Sequence, residues 1–195
     1  ALYNNTTGNY NIALGRNALL SNNNTGDHNI ALGYDALAWN TTGSNNIAVG
    51  NNALYNNNTG NFNSAIGTAA GKYQANGTTI LQTASNSIYI GYNSKGFNNS
   101  DNNSIVIGAN AIGIGANSVV LGNDSIAKTA LKGKIVIGTT NPQGALDIVS
   151  TTGAFIVPRM TTAQRDALTA VNGMIIYNTT TNQFNFRENG AWVLK

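Results

Sequence analysis

Side chains suited to proton transfer or nucleophilic attack are scarce in this 195-residue sequence, which holds one His (His28), one Glu (Glu188) and no Cys. Acid–base catalysis needs titratable groups that converge within hydrogen-bond reach, and thiolate chemistry or a Cys-based metal site needs cysteine. Cleavage of a polysaccharide needs two carboxyl groups facing one bond, but Glu188 falls in a predicted hairpin turn and the Asp residues are scattered. Asp101-Asn102-Asn103 and Asn123-Asp124 offer the oxygen ligands that calcium takes. Ordinary Asx-turn chemistry accounts for the same residues, and the Gly-Gly-x-Gly-x-Asp calcium repeat is missing. The expectation is a protein that is not an enzyme, with no catalytic residues, no cofactor and no metal.

Charge is equally sparse. Seventeen residues are charged (ten Lys+Arg, seven Asp+Glu), whereas about a quarter is usual, and 35 Asn and 22 Gly take their place. The net charge of +3 therefore rests on few groups. Residues 1–67 carry only Arg16, Asp27 and Asp35 as formal charges, so no basic stripe exists there to track a phosphate backbone, and nucleic acid is not an expected partner. Lys128, Lys132 and Lys134 read as a solvated face. No apolar run approaches the ~20 residues of a membrane span, so no membrane insertion is expected.

The elements that arrange this uncharged surface come from a repeat. The phrase Asn-Ile-Ala-(Leu/Val)-Gly stands at residues 11–15, 29–33 and 46–50, with Asn-Ser-Ala-Ile-Gly at 63–67. Ala1, Ala18, Ala36, Ala53 and Ala70 mark the register. Self-similarity at 17–18 residues signals a solenoid. Within the phrase, Ile12 and Leu14 share one face of a short strand and Ala13 takes the other. So short a strand cannot bury an apolar face alone, and each coil must stack on the next. Gly at both ends suits sharp corners, and Asn11, Asn29, Asn46 and Asn63 fall in register as a ladder able to satisfy corner backbone groups. The Asn-rich turn at 22–26 and the Gly in every half-repeat argue against helix.

Set in register, the repeat separates constant from variable positions. Tyr10, His28, Asn45 and Phe62 form one variable row, Arg16, Tyr34 and Asn51 a second, and Leu20, Ala38 and Tyr55 a third, with Trp39 beside it. A position that accepts Tyr, His, Asn and Phe is predicted to face solvent. It is either an unconstrained surface or a platform for a cell-surface ligand, where aromatics supply contact area at low entropic cost. The candidate surface-binding residues are Tyr10, His28, Asn45, Phe62, Arg16, Tyr34, Trp39 and Tyr55.

After residue 67 the period loosens through an irregular stretch at 69–85. The strand phrase then returns at 87–91, 104–108 and 118–122 (Ser-Ile-Tyr-Ile-Gly, Ser-Ile-Val-Ile-Gly, Ser-Val-Val-Leu-Gly), with a seven-residue spacing through Ala-Ile-Gly-Ile-Gly at 111–115 that predicts half-coils. These phrases resemble the left-handed parallel β-roll heads of trimeric autotransporter adhesins over residues 1–138. The resemblance implies a trimer with small residues and bulky aliphatics at a three-fold axis. The present chain differs in its longer coil and Asn-Thr-rich turns.

The composition shifts near residue 138, where Thr139-Thr140-Asn141-Pro142 forms a link. Residues 144–149 and 154–157 read as strands. Thr161 with Gln164 forms a capping-box pattern, which predicts a short helix to about Leu168. Strands are predicted at 173–177, 183–187 and 191–195, with Asn-Gly at 189–190 as a hairpin signal. The motifs Phe-x-x-Pro-Arg-Met-Thr-x-x-Gln-Arg-Asp (155–166), Gly-Met-Ile-x-Tyr-Asn (173–178) and Asn-Gly-x-Trp (189–192) resemble a small module of phage tail-fibre and receptor-binding proteins. That resemblance implies trimerisation. Arg159 and Arg165 are expected to pair with Asp166 or Asp147 as structural contacts.

The sequence thus predicts a mainly β protein. A trimeric parallel β-roll or solenoid of short coils spans 1–138, with 17–18-residue repeats to about 70, an irregular part at 69–85 and shorter coils at 86–138. A small α+β C-terminal module, a helix plus a β-meander, spans 139–195. Because Ala1-Leu2 matches Ala18-Leu19, further coils are expected before Ala1. The expected function is a structural homotrimeric fibre segment of a phage or phage-like particle that attaches to a host cell surface. Its partners would be a surface glycan or protein receptor and other fibre or baseplate components, and its location the virion or an extracellular particle surface. The alternatives are a trimeric adhesin on a bacterial cell surface and a polysaccharide-degrading tailspike.

Overall fold

The computed structural model describes residues 1–20 and 25–194; most of the Asn-rich turn, at 21–24, and Lys195 lie outside them. The chain divides into two compact units, Ala1–Thr129 and Ala130–Lys195.

The first unit is a parallel roll. Seven three-residue strands, β1 (Ile12–Leu14), β2 (Ile30–Leu32), β3 (Ile47–Val49), β4 (Ser64–Ile66), β5 (Ile88–Ile90), β6 (Ile105–Ile107) and β7 (Val119–Leu121), pair in chain order. Every pairing is parallel and in register, with Ala13 on Ala31, Ala48 and Ala65 in turn. Each connection is therefore one coil. The predicted half-coils between residues 108 and 122 are the two limbs of a single shorter coil, in which Ile112 bridges to Lys95 while β7 pairs with β6.

Alanine points inward from the strands, and Ala31, Ala48 and Ala65 are fully buried. Leu19, Leu37 and Leu54, on the limb that returns across the core, complete the cluster. These leucines sit in the left-handed region, at φ 49°, 49° and 45°. That conformation costs about 1–2 kcal/mol for an L-residue, and burying a Leu side chain recovers about 1.5–3 kcal/mol. Left-handed corners also recur at Asn17, Asp35, Asn52, Asn93 and Asn110. Glycine is indispensable in the column after the strands: at Gly50 (φ +136°) an added Cβ would run into the backbone of Gly67 in the next coil.

The predicted Asn ladder forms, and it lies inside the roll. The backbone N–H of Asn46 donates to Asn29 Oδ1 and that of Asn63 to Asn46 Oδ1, each at 3.0 Å. Asn46 Nδ2 donates to Gly60 O at 2.8 Å. A second interior row contributes Asn57 Nδ2 to the same carbonyl at 2.8 Å. Buried corner groups are satisfied by amides from the same coil and from the neighbouring one, which is why Asn pervades the sequence.

The fifth and sixth coils together break the pattern at three places. Tyr89 replaces the inward Ala and is fully buried. Gly71 replaces the inward Leu, and an added Cβ there would lie 2.8 Å from the Tyr89 ring. Asp101, buried in the sixth coil, lies near the Tyr89 hydroxyl at 3.4 Å and accepts the Phe97 N–H at 2.7 Å.

The second unit begins with β8 (Ile135–Ile137), which pairs in parallel with β9 (Leu146–Ile148). Although its Ile-Val-Ile phrase matches the roll, β8 joins no roll strand. β10 (Arg159–Met160) lies parallel to β11 (Ile175–Asn178), and β11, β12 (Gln183–Glu188) and β13 (Ala191–Leu194) form an antiparallel meander. The helix α1 (Thr162–Asp166) carries the predicted capping box, with Thr161 N–H donating to Gln164 Oε1 at 2.9 Å. Two details differ from expectation. Residues 154–157 join no ladder, because the chain pairs only at Arg159 and Met160. Glu188 ends β12, and the two-residue turn is Asn189-Gly190, both at positive φ, as a hairpin of this length requires.

Candidate functional site

Outward positions of the roll strands carry Ile, Leu or Val, with Ser64 the single exception. In one protomer many of them are bare: Ile12 is 56% exposed, Leu14 72% and Leu121 53%. A sheet with one solvated face normally alternates apolar inside with polar outside. Here both faces are apolar and the outer one lacks formal charge. With seven strands about 4.8 Å apart, the ladder runs roughly 29 Å along the roll.

The predicted rows border this ladder. Tyr10, His28, Asn45 and Phe62 all lie in the left-handed region at the corner before the strand, and all are exposed. Asn86, Asn103 and Asn117 hold the same corner in later coils. Asn tolerates this conformation best among non-glycine residues, whereas bulky rings there are conformational outliers. Tyr10 and His28 stack at 4.8 Å between centroids. On the other side of the ladder, the Arg16 guanidinium lies 5.8 Å from the Tyr34 ring centroid.

The third row divides. Ala38 is buried, Tyr55 is half-buried and Trp39 is exposed, all on the return limb. The structure therefore separates the eight candidates into two groups, six beside the strand ladder and two, Trp39 and Tyr55, across the core from it. Sequence reasoning passed over Lys72, whose ammonium lies 4.8 Å from the Tyr55 ring centroid and 5.1 Å from that of Tyr73. The signal was present: Lys72 and Lys95 are the only cations between Arg16 and Lys128.

The calcium-like triplet resolves as a buried acid. Burial holds the Asp101 carboxyl above the ordinary carboxylate range, outweighing the lowering by the Phe97 N–H and the Tyr89 hydroxyl. Burial, and then the Asp101 charge, push the Tyr89 hydroxyl up in turn. Asn123 caps a turn by accepting the Ser125 N–H at 2.8 Å. Among the described residues, no group of three or more His, Cys, Asp or Glu could hold a metal ion.

In the second unit, Arg165 pairs with Asp166 at 2.8 Å and donates to Asn185 Oδ1 at 2.7 Å. Asp147 instead accepts the Gln143 N–H. Asn185 and Asn178 are fully buried and joined at 3.2 Å, and Arg165 and Arg187 both lie within 6 Å of the Trp192 ring centroid. Ile176 is the one buried hydrophobic side chain among the described residues of this unit, while Phe155, Ile156 and Val171 are each more than 60% exposed. So small a unit with so little core needs partner chains to be stable.

Residues 136–195 match the family model of a phage tail-like trimerisation region. Comparisons with curated proteins and with solved structures give no match. The match and the β-roll together support a homotrimeric, phage-tail-type fibre and an association with a virion or similar particle.

Proposed function

We propose that this chain is an attachment segment of such a fibre, with the outer ladder of the roll facing the other two protomers and the return limbs facing solvent. The observation that carries this reading is the uncharged Ile/Leu/Val face, seven strands long, in a chain that also carries a trimerisation region. Holding three chains together raises the effective concentration of every other self-complementary surface, and a bare apolar ladder gains most by meeting copies of itself. In a cyclic trimer each protomer offers its neighbours two different patches. The Tyr10/His28/Asn45/Phe62 row of one protomer and the Arg16/Tyr34 row of the next then form the rim of each contact, leaving Trp39 and Tyr55 free to meet a host surface. The fibre binds a cell-surface glycan or protein and does no chemistry on it.

Two measurements test this reading. Light scattering of the full chain should give the mass of three copies, and Ile47→Ser with Ile90→Ser should weaken the trimer. A stable folded monomer, or a trimer indifferent to both substitutions, removes the ladder from the assembly. Labelled fibre should adhere to host cells without shortening their capsular polysaccharide; shortened chains would make the protein an enzyme.

A further inference from the structure

Resting on the attachment reading, we infer that the return limb of the fifth and sixth coils is a binding site for an acidic saccharide, built on the hairpin between Lys72 and Leu81. Strand offset here is the largest in the roll: β5 follows β4 by 24 residues, against 17 for β4 after β3. The seven extra residues leave the strand ladder intact, since Ser64 still pairs with Ile88. They emerge on the return limb as a hairpin in which Tyr73 bridges Ile80 in antiparallel fashion and Leu81 N–H donates to Lys72 O at 3.0 Å. Asn76 Oδ1 fixes the tip by accepting the N–H groups of Thr78 and Thr79. The hairpin rests on the next coil, with Ala75 N–H donating to Phe97 O and Gly96 N–H to Tyr73 O.

Three independent features coincide at this excursion. In repeat architectures an insertion within one repeat maps to a loop on a single face, often the binding face. Lys72 and Lys95, the sole cations across more than a hundred residues, both reach it: the Lys72 ammonium lies 4.8 Å and 5.1 Å from the Tyr55 and Tyr73 ring centroids, and a Cβ added at Gly77 in the hairpin tip would sit 3.6 Å from Lys95 Cε. Aromatic surface is adjacent, with Phe97 46% exposed and Tyr55 and Tyr73 half-buried. Rings to stack on a sugar face, two ammonium groups to pair with an acid, and Asn and Thr side chains at the tip to bond hydroxyls are the groups an anionic glycan requires. Asp101, which accepts the Phe97 N–H, is buried and so lies off the surface that a ligand would touch.

The test titrates the full-length trimer against immobilised acidic oligosaccharides (uronate, sialate and phosphosugar) and neutral ones of equal length, beside Lys72→Gln/Lys95→Gln. The native fibre should bind at least one acidic class, more weakly as salt rises. The double variant should lose tenfold or more in affinity with its melting and mass unchanged. Phe97→Ala should weaken binding without altering its salt dependence. Binding of no acidic class, or equal binding by the double variant, overturns the inference. Cell adhesion separates the two readings: native and variant fibres adhering equally leaves attachment standing without this site. Native fibre that adheres to no cells defeats attachment, while the saccharide titration still reports on the site.

Discussion

Tyr89, Gly71 and Asp101 depart from the repeat together, and their columns explain why. In the coils before it the core pairs an inward Ala with an inward Leu; here the small residue and the large one have changed limbs, and the buried acid sits beside the phenol. Gly71→Leu alone should cost about 1–3 kcal/mol by overpacking, and Tyr89→Ala alone about 3–5 kcal/mol through the cavity it leaves. Gly71→Leu with Tyr89→Ala restores the ordinary pair and should recover most of either loss, a coupling that chemical denaturation of the two single variants and the double variant would measure. If the losses simply add, the two residues do not share the space described. Sequence reading located the phrase containing Tyr89 but not this exchange, because its partners lie 18 residues upstream and 12 downstream and meet only once the coil is closed.

At the scale of the coil, period and strand positions were legible because each strand is a fixed phrase and a one-residue slip would turn Ala outward and Ile inward. The corners were less so. Glycine supplies the corners after the strands as expected, but Leu19, Leu37, Leu54 and a series of Asn residues also take left-handed conformations that local propensity disfavours, since the gain from burial appears only in the closed coil. The interior Asn ladder yields a sharp expectation. Asn46→Ala leaves the buried N–H of Asn63 unpaired, at about 1–3 kcal/mol, and takes from Gly60 O one of its two amide donors, with Asn57 remaining. Asn46→Ser should cost less, because Ser87 and Ser104 occupy the same column and Ser87 Oγ still accepts the Ser104 N–H. Thermal melts by circular dichroism should rank wild type, Ser, then Ala; Ala equal to Ser would deny the ladder its role. The candidate rows were legible as variable positions, but their division between ladder rim and return limb was not, since variability does not say which limb a residue occupies.

For the whole molecule, apolar groups left bare in one protomer, from Ile12 to Ile156, imply that folding and association are one process. Unfolding three chains from one particle makes the midpoint depend on concentration. The thermal midpoint of the full chain should rise across a hundredfold increase in protein concentration, and a constant midpoint under reversible conditions would mean that each protomer stands alone. The in-register pairing of the strands also sets a rule for change. Every coil hands the next the same donors, acceptors and apolar steps, so a duplication or loss of 17 residues alters the length of the roll by one strand spacing and leaves the joints on either side interchangeable. A gain that does not complete a coil must be looped out, as between Lys72 and Leu81. Length and specificity can thus be inherited separately, one counted in whole coils and the other carried by the residues that do not fit the count.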